Sequence, residues 1–284
     1  ETDKFNNQIK NSLKQKNEKL ELKLKKINLT LDPLNFKINA KTIGTKITHK
    51  NKIIELEYIK TKISIISIIK NKFISSNIKI SSKPILLKDL VAFIRSTNNK
   101  PELFILEKTV KKGHVILDLN FNIDEKGKIK NDYEIKGLIK DTNLNFFNKG
   151  KFENINFNFN LRQDNYLLKK INFKVEKVNF FSKKINIIKK KNSILIDGIV
   201  KNNESNINNN LLNLLNLKFE NIDIDEAKFS TNNQFSFEVD DQYNIRNIIL
   251  NSDINIDQLK YKKLDIFENY LSELGNFFLL KNHQ

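Results

Sequence analysis

The chain has 284 residues, with 50 Lys plus Arg against 33 Asp plus Glu, a net charge of +17 and 39% hydrophobic residues. It has no Cys, Met or Trp, and only 7 Gly and 3 Pro. This composition excludes a disulfide scaffold, a thiol nucleophile, Cys-ligated zinc, an iron–sulfur cluster, and collagen-like or flexible-linker chains.

Residues 1–21 are mostly polar and charged and predict a helical or mobile lead-in. Residues 22–110 read as a β-region interrupted by short helices at Ile63 to Lys72 and Lys88 to Ser96. In the second, Leu90, Phe93 and Ile94 share one face. Residues 111–258 carry the clearest pattern. Val115, Leu117, Leu119, Phe121 and Ile123 alternate with Ile116, Asp118, Asn120 and Asn122. A turn follows at Asp124 to Gly127, and then Ile129, Tyr133, Ile135, Gly137 and Ile139. The unit recurs with Phe157, Phe159 and Leu161, a polar turn at Arg162 to Asn165, and Leu168, Ile171, Phe173 and Val175. It recurs again across turns at Lys189 to Asn192 and Asp240 to Gln242, the last preceded by Phe235, Phe237 and Val239. The pattern predicts long strands of about nine residues joined by short turns. Leu211 to Leu217 suggest a short helical break near 207–217, and residues 259–284 a terminal amphipathic helix.

Alternation over so many segments means a half-solvated antiparallel meander, with one apolar face and one Lys/Asn/Asp face. The apolar face must be covered, and the predicted helices are too few for that. The sheet either packs on itself as a sandwich or curls into an open trough that meets an apolar ligand. The 21 Phe, without a polar tip, suit a lining for acyl chains as well as a sandwich core.

The charge suggests nucleic acid or an acidic membrane surface. Only Arg95, Arg162 and Arg246 are arginines, and Lys, Asn, Ile and Phe are all A/T-rich in codons, so compositional drift accounts for much of it. A nucleic-acid reader would favour Arg, and no nucleic-acid partner is expected. No apolar run is long enough to span a bilayer as a helix. His49, in a polar loop, and His283, at the terminus, read as solvated. His114 and Asp118 share a strand face without a third partner, and Asp223, Asp225 and Glu226 lack the Gly and distal Glu of a calcium loop. No catalytic, cofactor or metal site is expected, and the chain is read as a non-enzyme.

The segment Ile53 to Ser96 is more distinctive. A strand with apolar-Glu-apolar-Glu leads into an Ile-rich turn at Ile63 to Ile69. A strand at Phe73 to Ile80 follows, then Pro84-Ile85-Leu86-Leu87 and a helix at Asp89 to Arg95. This resembles the amino-end region of the AsmA-like superfamily, particularly its YhdP and TamB-like branches, and the strands from Val115 onward are similar to that family's β-groove repeats. The resemblance covers Leu22 to Ile256. It implies a mostly β protein, a long antiparallel meander curled into an open apolar groove with a few short amphipathic helices. It further implies a periplasmic protein of the bacterial envelope, anchored in the inner membrane by a segment outside this chain. Phospholipid acyl chains would slide between inner and outer membranes along the groove. The expected lining is Val115, Leu117, Leu119, Phe121, Ile135, Phe157, Phe159, Leu161, Phe173, Val175, Phe235, Phe237 and Val239. A ligand-free structural or adhesive β-sandwich and a nucleic-acid-binding protein remain the alternatives.

Overall fold

The computed structural model describes residues 20–69, 75–98, 100–124, 130–145, 150–207 and 224–261. The predicted helical break at 207–217 lies, past Ile207, outside these residues, and so does the terminal segment beyond Tyr261.

The fold is one antiparallel sheet of fifteen strands, open at both edges among the described residues. The first arm of the sheet is β1 (Leu20–Lys23) and β2 (Lys26–Asp32), which pair with β4 (Thr45–His49) and β3 (Lys37–Ile43). Both β3 and β4 lie along β5 (Lys52–Ser64), whose other edge pairs with β6 (Ser75–Ser82). After β5 comes the one-turn helix α1 (Ile65–Ile69), within the span expected to be helical. Between β6 and β8 (Val110–Asn122) the chain inserts the short strand β7 (Ile85–Leu86), α2 (Leu87–Thr97) and α3 (Pro101–Thr109). From β8 the sheet is a plain meander: β9 (Glu134–Asn145), β10 (Lys151–Arg162), β11 (Asn165–Val175), β12 (Val178–Lys189), β13 (Ser193–Asn206), β14 (Ile224–Asp240) and β15 (Ile245–Tyr261). The sheet continues without interruption from β6 into β8. None of the described helices is long and apolar enough to cross a membrane.

The turns fall where the polar tetrapeptides predict, at Gln163–Asp164, at Lys190 to Asn192 and at Asp241–Gln242. The strands, however, run to 12 residues in β10, 14 in β13 and 17 in both β14 and β15. They are longer than the alternation indicates because the alternation slips in mid-strand. In β10 the inward apolar residues are Phe152, then Ile155, Phe157, Phe159 and Leu161. In β11 they are Leu168, then Ile171, Phe173 and Val175. A step of three where two is expected marks an extra residue, as in a bulge.

These slips line up. Asp141, Asn154 and Lys170, on neighbouring strands, all have positive φ, at 51°, 50° and 53°. Each is exposed, and the residue after it, Thr142, Ile155 or Ile171, is buried. Toward β8 the line continues at Gly113 (φ 136°), which is buried. A Cβ there would lie 2.1 Å from Thr142 Oγ1, so only glycine allows the two strands to approach at this point. Toward β12 it continues in the irregular register between Phe181 and Ile185. On the first arm Gly44 (φ 63°) separates β3 from β4, and Glu57 bulges between Leu56 and Tyr58. Thr42 and Thr45 share a buried 2.6 Å hydroxyl hydrogen bond across that break. The residues on the apolar side of this crease are buried and those on the polar side are exposed, so the sheet folds toward its apolar face and curls into a groove.

One end of the apolar face is covered. Pro84 breaks the chain after β6, β7 pairs with the start of β8, and α2 then crosses the sheet. Val91 and Ala92 of α2 are buried. Leu87, Leu90 and Phe93 pack on Ile54, Leu56, Ile85 and Val115. The helix α3 was not evident in the sequence, because its apolar residues Leu103 to Leu106 are contiguous rather than spaced along one face. Pro101 suits its first turn, where the missing N–H costs nothing, and Arg95 Nε pairs with Glu107 Oε2 at 2.6 Å to join the two helices.

Candidate functional site: the apolar face of the curled sheet

Cross-strand register decides which side chains share a face, because directly opposed residues point the same way. Val115 lies opposite Ile139, which lies opposite Phe157. Leu117 opposes Gly137, which opposes Phe159. Leu119 opposes Ile135, which opposes Leu161. Phe121 faces Ile78 of β6. Leu161 and Phe159 continue to Tyr166 and Leu168, then to Ile187 and Ile185, then to Ile196 and Gly198, and finally to Phe237 and Phe235. Val239 opposes Ile194 and Ile245. Beyond the crease, Phe173 stacks on Phe180 with ring centroids 5.5 Å apart and lies 5.9 Å from Phe152. Val175 pairs with Val178.

All thirteen residues expected to line a groove therefore stand on one face of one sheet. Val115 and Val175 are buried and the other eleven are half-buried. The list omitted Ile139, Tyr166, Leu168, Ile185, Ile187 and Ile196, which belong to the same face. Their signal was present: once the turn residues set the hairpin register, Ile139, Tyr166, Leu168 and Ile196 fall opposite predicted lining residues, and Ile185 and Ile187 fall opposite Leu168 and Tyr166.

Two of the aromatics lie along the sheet rather than away from it. A Cβ on Gly137 would come 2.4 Å from Phe159 Cζ, and one on Gly198 would come 3.2 Å from Phe235 Cζ. Each ring thus occupies the space that the opposed glycine leaves open, an aromatic–glycine pairing known in sheets. It gives the face a smooth apolar floor. A second buried cluster, Val178 and Phe229 with Phe180 and Ile207, closes the face at the far side of the crease. At the other side the turn after β14 reaches back to the helical pair, where Tyr243 Oη donates to Glu102 Oε1 of α3 at 2.5 Å. That bond lowers the Glu102 carboxyl and raises the Tyr243 phenol from their ordinary values.

The outer face is organised by charge. The Lys136 ammonium, with Arg162 and the Asn160 amide, holds the Glu134 carboxyl at about 2. Lys46 and Lys83 hold Glu55 at about 2 in the same way. His114 and Asp118 lie on this outer face, opposite Lys140 and Lys136. His49 is corrected by the structure. It ends β4, is 3% exposed, and its Nδ1 lies 2.8 Å from Ser96 Oγ on α2. It is a packed residue joining helix to sheet, because the following turn at Lys50–Asn51 carries the polarity that the sequence suggested for it. No group of His, Asp and Glu among the described residues could hold a metal ion. Asp223 and His283 lie outside the described residues.

No family model, no curated protein and no solved structure matches the chain.

Proposed function

We propose that the chain is a groove protein of the bacterial cell envelope, periplasmic and held at the inner membrane, that shields phospholipid acyl chains as they pass between inner and outer membranes. The observation that carries this reading is the continuous apolar face from β8 to β14. Apart from Val115 beside the helices and the buried residues at and beyond the crease, it is only half-buried, while the described helices pack on β4, β5, β7 and β8. A lipid leaving a bilayer exposes its tails at about 0.8 kcal/mol per CH₂. A trough floored by Phe159, Phe235 and Phe237, whose rings carry no polar atom, offsets most of that cost. The headgroup stays in water at the open lip. The role needs no bond-making step and no cofactor, so the protein acts by binding rather than as an enzyme.

A photoreactive residue in place of Phe159 or Phe237, followed by irradiation in cells and mass spectrometry, tests this. Phospholipid adducts at those two positions, and none at the outward Asn158 or Gln234, are expected. Adducts at all four, or at none, overturn the reading.

A further inference from the structure

The outer face of the first arm carries a feature that the groove does not use. Lys41 lies directly opposite Lys60, and Lys60 directly opposite Lys79, on three adjacent strands. Side chains so placed have Cβ atoms about 5 Å apart, and like charges at that spacing repel. Lys62 stands one position further along the same face of β5. The Tyr58 ring lies between two of these ammoniums, with Lys60 Nζ 4.3 Å and Lys41 Nζ 5.3 Å from its centroid. The row is flanked by Asn28 and Asn39 and bounds a depression of about 400 Å³, lined by four lysines and no acid.

Carboxylates do not neutralise the row. The acids on β2, β3, β5 and β6 are Asp32, Glu55 and Glu57. Glu55 is occupied by Lys46 and Lys83, and Asp32 accepts from Asn35 in the hairpin turn. Among the described residues, none of Lys41, Lys60, Lys62 and Lys79 has a carboxylate oxygen within 4.0 Å. Toward the far edge the same face carries Asp197, Glu238, Asp253 and Asp257, and the larger depression there places Asp197 beside Lys183, Lys184 and Lys201. On the first arm three adjacent strands bring four lysines to one depression with no acid in its lining, whereas the larger depression includes Asp197.

We infer that the outer face of β3, β5 and β6, centred on Lys41, Lys60 and Lys79, docks onto an acidic bilayer surface, with lipid phosphates as the missing counter-charge. Charge complementarity decides this occupant. Lysine acts on phosphate as a point charge and asks for no fixed orientation, which suits mobile headgroups. The bidentate arginine forks that read nucleic acid are missing from β2, β3, β5 and β6. The one aromatic here is engaged by two ammoniums rather than free to stack on a base. The inference goes beyond the groove reading and does not rest on it, because the patch and the groove lie on opposite faces of the sheet.

The test is flotation of the full 284-residue chain with vesicles of phosphatidylcholine alone or mixed with phosphatidylglycerol, at low and at physiological salt. Two triple variants are compared, Lys41→Gln/Lys60→Gln/Lys79→Gln and Lys169→Gln/Lys184→Gln/Lys201→Gln, which remove equal charge from the same face. The wild type should bind only the acidic vesicles. Each patch lysine near a charged bilayer is worth roughly a fivefold affinity change, so the first triple should lose on the order of 100-fold, and the second less than about fivefold. Equal losses in both triples mean bulk attraction and overturn the inference. So does displacement by millimolar inorganic phosphate, or tighter, patch-dependent binding to a DNA duplex. Retention of acyl-chain adducts in the first triple would show that groove and patch stand or fall separately.

Discussion

Beneath α2 the apolar face is dry: Ile54 is 7% exposed and Val115 2%. Six strands on from Val115, the same face carries Phe235, Phe237 and Val239, all half-buried, although their sequence pattern is as regular and the two phenylalanines larger. The two regions share strand geometry, register and residue type. They differ in what lies over them: α2 packs on the first, while the main contacts of the described helices are with β4, β5, β7 and β8 and not with β14. Hydrophobicity along a strand thus specifies a face, and its degree of burial is set by elements distant in the chain.

The comparison can be broken by matched truncations. Ile54→Ala, in the covered region, should cost about 2–5 kcal/mol in urea denaturation. Phe237→Ala, on the open face, should cost only about 1–2 kcal/mol despite removing more atoms, because part of its surface is already in water. Equal costs would mean that the open face is covered as thoroughly as the other. Gly113→Ala probes the crease where the two regions meet. A Cβ placed 2.1 Å from Thr142 Oγ1 on a backbone at φ 136° should cost about 1–3 kcal/mol, read as a lower urea midpoint at unchanged slope.

Further along the crease, Lys170→Val should destabilise by about 1–2 kcal/mol, since a β-branched side chain resists φ 53°, while Lys170→Gly should be neutral or stabilising. The smallest expected effect is on the outer face of the open region. Glu134 is held at about 2 against an ordinary 4.5, chiefly by Lys136 and then by Arg162. A lowered carboxyl stabilises the fold fully above about 4.5, and that contribution is lost as pH falls toward 2. The urea midpoint of the wild type should therefore drop slightly more than that of Glu134→Gln across this window, and the two should fall in parallel below it. Parallel curves throughout would show that this surface pair contributes nothing.

Much of the fold was legible in particular residues. Gln163–Asp164 and Asp241–Gln242 placed two turns, and alternation through Val115, Leu117 and Leu119 placed the apolar face of β8. The crease was also written, as the three-residue steps from Phe152 to Ile155 and from Leu168 to Ile171, but it reads as noise until neighbouring strands are seen to slip at the same height. The burial of His49 was not legible, because its partners Ser96 and Phe93 arrive from a helix 44 to 47 residues later. Nor was the Lys41–Lys60–Lys79 row, which exists only once β3, β5 and β6 take their register.

The sequence by itself determined strand and face, because a two-residue period is a local property of the pleated backbone. Tertiary structure alone decided which part of the apolar face is covered, where the sheet bends, and which lysines of the +17 excess stand together. Those outcomes depend on hairpin register and on an inserted helical pair. Both are relations between distant segments, set by the mutual fit of bulges, glycines and opposed side chains rather than by the composition of any one strand.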